Sequence, residues 1–144
     1  MDQTVYPERI QSLINQGDTA LQSGRFQDAY TAYSNAQNEA ELLYGHLQPE
    51  LYPILEKYVA ATLRANNQDW YLKSVVRALR AMLYIAERKY GLNAPELIPV
   101  LTELVQFYDY DGAHMLAIEV KQRIDDIVER QSGPRPIDWQ GPGI

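Results

Sequence analysis

Cysteine is absent from the 144-residue chain, which excludes disulfides, thiolate metal sites and a cysteine nucleophile. Histidine is nearly absent: His46 and His114 are the only two, and no spaced ligand pattern accompanies them, so surface or interhelix packing is their expected role. No apolar run approaches the roughly 20 residues that a membrane helix needs. Met1-Asp2-Gln3-Thr4 does not open a charged-then-apolar signal segment, so the cytoplasm is the expected compartment. Basic residues are outnumbered, 13 against 19, and the resulting net charge of −6 argues against binding nucleic acid through bulk charge. What is present is enough for one ordinary domain, because apolar types fill 46% of positions and a chain of this length buries a core without staples.

A repeat organises the chain. Tyr44-Gly45, three residues, then Pro49-Glu50-Leu51-Tyr52-Pro53-Ile54-Leu55 returns 46 residues later as Tyr90-Gly91, three residues, then Pro95-Glu96-Leu97-Ile98-Pro99-Val100-Leu101. Two prolines, a glycine and their apolar neighbours at one constant offset mark two copies of one unit. Between these marks the apolar residues follow three- and four-residue steps, as in Ala29, Ala32, Tyr33, Ala36, Ala40 and Leu43, and strand-like alternation is missing. Breaks at Gly24, Asn66-Asn67 and Asp111-Gly112 divide the pattern into six helices near 7–23, 26–44, 50–65, 69–90, 96–109 and 113–131. Proline fits only the first turn of a helix, so Pro53 and Pro99 place two helix starts near Glu50 and Glu96. Residues 132–144, from Ser132-Gly133-Pro134-Arg135-Pro136 to the end, cannot propagate a helix and read as a flexible tail on a helical domain of residues 1–131.

Leu13, Gly17, Ala20, Gly24, Phe26, Ala29, Tyr33 and Ala36 resemble the tetratricopeptide repeat (TPR) consensus, in which small residues let two antiparallel helices approach and aromatics fill the gap. Leu101, Leu104, Tyr108, Gly112 and Ala117 resemble it more thinly, and the middle unit diverges most, with Asn66 in place of a glycine. The spacing of the Tyr-Gly marks is similar to the longer repeat of kinesin light chain, although Gln48-Pro49 and Ala94-Pro95 stand where that group often has His-Pro. The resemblance implies an all-α fold, a right-handed superhelical stack of three antiparallel helix hairpins. Three units is about the minimum for a stable array, and the charged residues of the last helix, Lys121 to Arg130, are expected to serve as its polar cap.

The resemblance also implies that exposed positions of the first helices line a concave groove for a peptide or helix of a partner. Here these are Ile14, Asp18, Leu21 and Gln22, then Glu56, Ala60, Leu63 and Arg64, then Thr102, Gln106, Asp109 and Tyr110. The set lacks the Lys/Asn/Arg cluster with which chaperone-binding members grip a terminal carboxylate. Its mixture of Leu21, Leu63 and Tyr110 with a few charges suits an amphipathic segment with apolar anchors. Eleven tyrosines point the same way, though many must fill helix seams.

Charge is distributed unevenly. Residues 1–44 hold two basic against six acidic groups, residues 45–91 seven against four, and residues 92–144 four against nine. Within the basic middle, Lys73, Arg77, Arg80, Tyr84 and Arg88 follow steps of four, three, four and four, one stripe of a helix. Such a stripe is either a solvated face or a docking strip for an acidic segment. Trp139 in the tail is either inert or an anchor, with Pro134–Trp139 as a short linear motif or a plug in the groove. Asp109-Tyr110-Asp111-Gly112 opens like a calcium loop but lacks the third acidic position and the closing glutamate. No phosphate loop, cofactor motif or catalytic set accompanies these features. The sequence therefore predicts a non-enzymatic protein-binding adaptor without cofactors, the alternative being a structural subunit that self-associates through its open repeat ends or its tail.

Overall fold

A computed structural model describes residues 5–65 and 69–131, with side chains of the fourth helix described from Lys73 onward. The break at Asn66-Asn67 and the tail with Trp139 lie outside the described residues. The fold is all-α: α1 (Glu8–Gln22), α2 (Phe26–Tyr44), α3 (Tyr52–Ala65), α4 (Asp69–Tyr90), α5 (Ile98–Tyr110) and α6 (His114–Gln131), with no strand among the described residues. The helices group into two compact units that divide at Ile85 and Ala86, so α4 belongs to both.

In the first unit, α1 and α2 form a hairpin closed at Gly24, which takes φ 76° while the Arg25 N–H reaches back to the Ala20 carbonyl at 2.8 Å. In the second unit α5 and α6 are joined in the same manner, with Gly112 at φ 81° and the Ala113 N–H on the Tyr108 carbonyl at 2.7 Å. This is the left-handed cap that satisfies the last carbonyls of a helix, and only glycine enters it without a Cβ penalty.

The core of the first unit is built from small residues on α2 and larger ones on its neighbours. Ala29, Ala32, Ala36 and Ala40 bring α2 close to α1 and α3, and Tyr33 fills the space left between them. Ile54, Leu55, Tyr58 and Val59 of α3 and Val75, Leu79 and Met82 of α4 complete it. Thr62 is buried too, and its hydroxyl donates to the Tyr58 carbonyl at 2.6 Å. In the second unit α5 contributes buried Val100, Leu101, Leu104 and Phe107, and α6 contributes Ala117 and Ile127.

The two proline-led starts differ from the expectation by about two residues. Pro49–Leu51 and Pro95–Leu97 wind as 3-10 turns, and the α-helices begin at Tyr52 and Ile98. The cause is the second proline of each copy. Pro53 has no N–H to give to the Pro49 carbonyl, so the Tyr52 N–H takes that acceptor one residue earlier, and Ile98 does the same for Pro95. The copies otherwise match closely: Gly45 and Gly91 share φ 104°, and Leu51 and Leu97 are both buried.

Candidate functional site

The first-helix positions divide into those used by the fold and those left to solvent. Ile14 belongs to the first group, which corrects its placement in the groove. It is only 4% exposed, because Ile10, Ile14 and Gly17 form the stripe that α1 turns toward its own unit's core. Asp18 is half-buried and engaged twice: the Tyr33 hydroxyl donates to its Oδ1 at 2.5 Å, and Lys57 Nζ approaches the same oxygen at 2.9 Å. This carboxylate therefore ties α1 to both α2 and α3. Burial, the hydrogen bond to Asp18 and its negative charge all push the Tyr33 phenol well above the ordinary tyrosine range.

Leu21 is half-buried and Gln22 exposed at the end of α1. On α3, Glu56, Ala60, Leu63 and Arg64 all reach solvent. Partial burial raises the Glu56 carboxyl above its ordinary value, against the lowering influence of the Lys57 charge. Leu63 is 40% exposed. Beside it the Arg64 guanidinium lies 4.6 Å from the centre of the Phe26 ring, a cation–π contact that holds the end of α3 over the start of α2.

In the second unit, Thr102 and Gln106 are exposed on α5, and Thr102 turns its hydroxyl back onto the Ile98 carbonyl at 2.7 Å. Asp109 faces His114 Nδ1 at 3.2 Å and Lys121 Nζ at 3.7 Å. Tyr110 is 65% exposed. The other histidine, His46, meets Glu41 at 3.1 Å in the first unit. Among the described residues no group of three or more His, Asp or Glu side chains is placed to hold a metal, and no helix is long and apolar enough to cross a membrane.

Lys73, Arg77, Arg80 and Tyr84 are exposed along α4 in the first unit, and Arg88 continues their spacing in the second. Among the described residues no acidic side chain pairs with Lys73, Arg77 or Arg80. Arg77 stands apart from the others, because it also borders a cavity of about 280 Å³ between α2 and α4. Sequence reasoning missed this cavity. Its α2 wall, Tyr30, Ser34, Gln37 and Glu41, is spaced by four, three and four residues, so a polar helical stripe was there to be read.

The expectation of a polar cap at the end of the array needs correction. α6 does expose Lys121, Gln122, Asp125, Asp126 and Glu129, but also Met115, Leu116, Ile118 and Val128, with Met115 at 72%.

No protein-family model and no curated protein matches the chain.

Proposed function

We propose that this chain is a non-enzymatic adaptor of TPR type that holds a peptide or helix of another protein against its first helices. The observation that carries the reading is the end of α3. Leu63 is an exposed leucine next to an arginine whose guanidinium is fixed on the Phe26 ring, so an apolar anchor point is presented beside an ordered charge. Rigid presentation of this kind lowers the ordering cost of binding. In the second unit the exposed Tyr110 of α5 is, independently, a side chain of the type most favoured at interfaces. Asp18 contributes alignment of α1 rather than a free charge, since Tyr33 and Lys57 occupy it.

The test is recovery of partners from the native host, identified by mass spectrometry, with the natural chain and a Leu63→Glu, Tyr110→Ala variant. Both positions are exposed, so the variant is expected to keep its helical content and to lose the partner. Equal recovery by the folded variant counts against the reading.

One observation favours a second reading, a subunit that assembles with copies of itself. Met115 and Ile118 lie one turn apart and exposed on α6, where a second helix would find apolar surface. Sedimentation over a concentration series distinguishes the two, because a strict monomer excludes self-assembly.

A further inference from the structure

The chain contains two copies of one glycine-capped acidic helix end, and they are partnered differently. Glu41 and Glu87 stand at matching places, 46 residues apart, each four residues before a glycine at φ 104° whose N–H bonds its carbonyl, at 2.9 and 2.8 Å. In the second copy Arg123 of α6 reaches Glu87 at 2.6 Å and donates to the Leu92 carbonyl at 2.9 Å. A long cation of α6 is thus paired at the end of α4. In the first copy Glu41 pairs instead with His46, and α4 turns Ala78 and Ala81 toward α2. Arg77, which stands 46 residues before Arg123, pairs with no acidic side chain among the described residues and lines a cavity of about 280 Å³.

The levels within the cleft are set by Tyr58, which packs on Tyr30 with ring centres 5.3 Å apart and hydrogen-bonds Ser74. Arg77 is one turn beyond Ser74. Glu41 is three turns beyond Tyr30, about 16 Å along α2 at 1.5 Å per residue. Arg77 and Glu41 both line the cavity and do not pair with each other, Glu41 being held by His46. Leu47 lines the acidic end and is the one non-glycine residue among those described with a positive φ, 59°. Asn93, at the matching place 46 residues on, does not adopt this conformation, although asparagine tolerates it better. The repeated turn does not impose it. The strained backbone accompanies the open cleft, whose wall the Leu47 side chain forms.

We propose that the α2–α4 cleft is a second docking site, distinct from the first-helix faces, and that it receives an acidic segment of a partner protein. A carboxylate side chain of that segment seats on Arg77, whose planar fork matches it in two hydrogen bonds and which has no partner among the described residues. The next side chain enters the cavity between Tyr30 and Leu47. Arg80 and Lys73, exposed on the same stripe, supply the positive field that attracts the segment. A cavity of about 280 Å³ is smaller than the 300–1,000 Å³ typical of sites for whole small molecules, so it suits one or two side chains rather than a cofactor. A nucleic-acid backbone, which binds through many phosphate contacts, is the poorer fit to a chain with a net charge of −6 and a single arginine at the cavity.

The experiment titrates the isotope-labelled full chain by NMR with a blocked ten-residue peptide of alternating Glu and Leu, with its Gln-for-Glu counterpart, and with a ten-nucleotide thymidine strand. The expected result is chemical-shift change along α2 and α4 around Arg77 with the Glu peptide alone, weakening as salt rises. Arg77→Gln is expected to lower the affinity at least tenfold, Arg80→Gln no more than about threefold, and Leu63→Glu not at all. Absence of binding up to millimolar peptide overturns the proposal. So does equal loss in Arg77→Gln and Arg80→Gln, which assigns the effect to the stripe as a whole. Equal binding of the thymidine strand overturns the choice of a protein segment. Loss in Leu63→Glu moves the contact to the α3 face and overturns the cleft. Failure of the adaptor reading, by contrast, is seen only in partner recovery with the Leu63, Tyr110 variant.

Discussion

The ring of Tyr33 lies so close to Gly17 that a methyl group on the glycine would stand 2.7 Å from Cζ and nearer still to two other ring atoms. Glycine inside a helix ordinarily costs about 1 kcal/mol relative to alanine. Here the sign is reversed, because Tyr33 is fully buried and its hydroxyl is held by Asp18, so the ring has nowhere to retreat. Gly17→Ala is expected to destabilise the protein by about 1–3 kcal/mol, the usual range for overpacking a core. The shift of the urea midpoint at constant slope measures it. A stabilised variant would mean that the ring moves aside.

Tyr33→Phe keeps the ring and removes the donor to Asp18. Lys57 still holds that carboxylate, so the loss is that of one hydrogen bond, about 0.5–1.5 kcal/mol at neutral pH. The alkaline limb is more diagnostic. The folded state keeps the phenol protonated well past its ordinary value of 10.0, by burial first and then by Asp18. Above pH 10 the unfolded chain releases this proton and the folded chain does not, so folding stability falls as pH rises. The melting temperature of the natural chain is expected to drop more steeply above pH 10 than that of Tyr33→Phe. Parallel curves would dissociate Tyr33 from the alkaline loss.

Helix ends were legible to within about two residues because glycine and proline act locally. Gly24 and Gly112 close their hairpins where the sequence places them, and only the 3-10 entry before Tyr52 and Ile98 was unforeseen. The candidate site was less legible. Ile14 fits a family groove position, yet its partners Ile10 and Gly17 decide which way that stripe faces. Asp18 gives no sign in sequence that Lys57, 39 residues on, will occupy it. The α2–α4 cleft depends on Arg77 not making the pair that Arg123, 46 residues on, makes with Glu87, and nothing in the sequence separates the two arginines.

Glu56 offers a test at acid pH. Partial burial raises its carboxyl above the ordinary 4.5, with Lys57 opposing, so the ionised form is less favourable folded than unfolded. The penalty is absent below the unfolded value and fully present above the folded one. Glu56→Gln is therefore expected to raise the melting temperature at pH 7 and to leave it unchanged near pH 3. A variant less stable than the natural chain at pH 7 would show that the Lys57 attraction outweighs the burial.

Arg77 and Arg123, at matching positions 46 residues apart, are expected to behave oppositely. Arg123 is partly buried and makes two charge-assisted contacts, to Glu87 and to the Leu92 carbonyl, so Arg123→Met removes interactions worth about 1–2 kcal/mol after allowance for solvent. It also leaves Glu87, the more buried of the pair, without its counter-charge. Arg77 has no counter-charge among the described residues, and Arg77→Met is expected to change stability by no more than about 0.5 kcal/mol. Amide exchange resolves the contrast by location. Arg123→Met should speed exchange in α6 and at the end of α4, whereas Arg77→Met should leave exchange across α2 and α4 as it was. Equal destabilisation by both would mean that Arg77 already serves the fold. A silent Arg77 beside a structural Arg123 is what a cation reserved for an outside carboxylate requires.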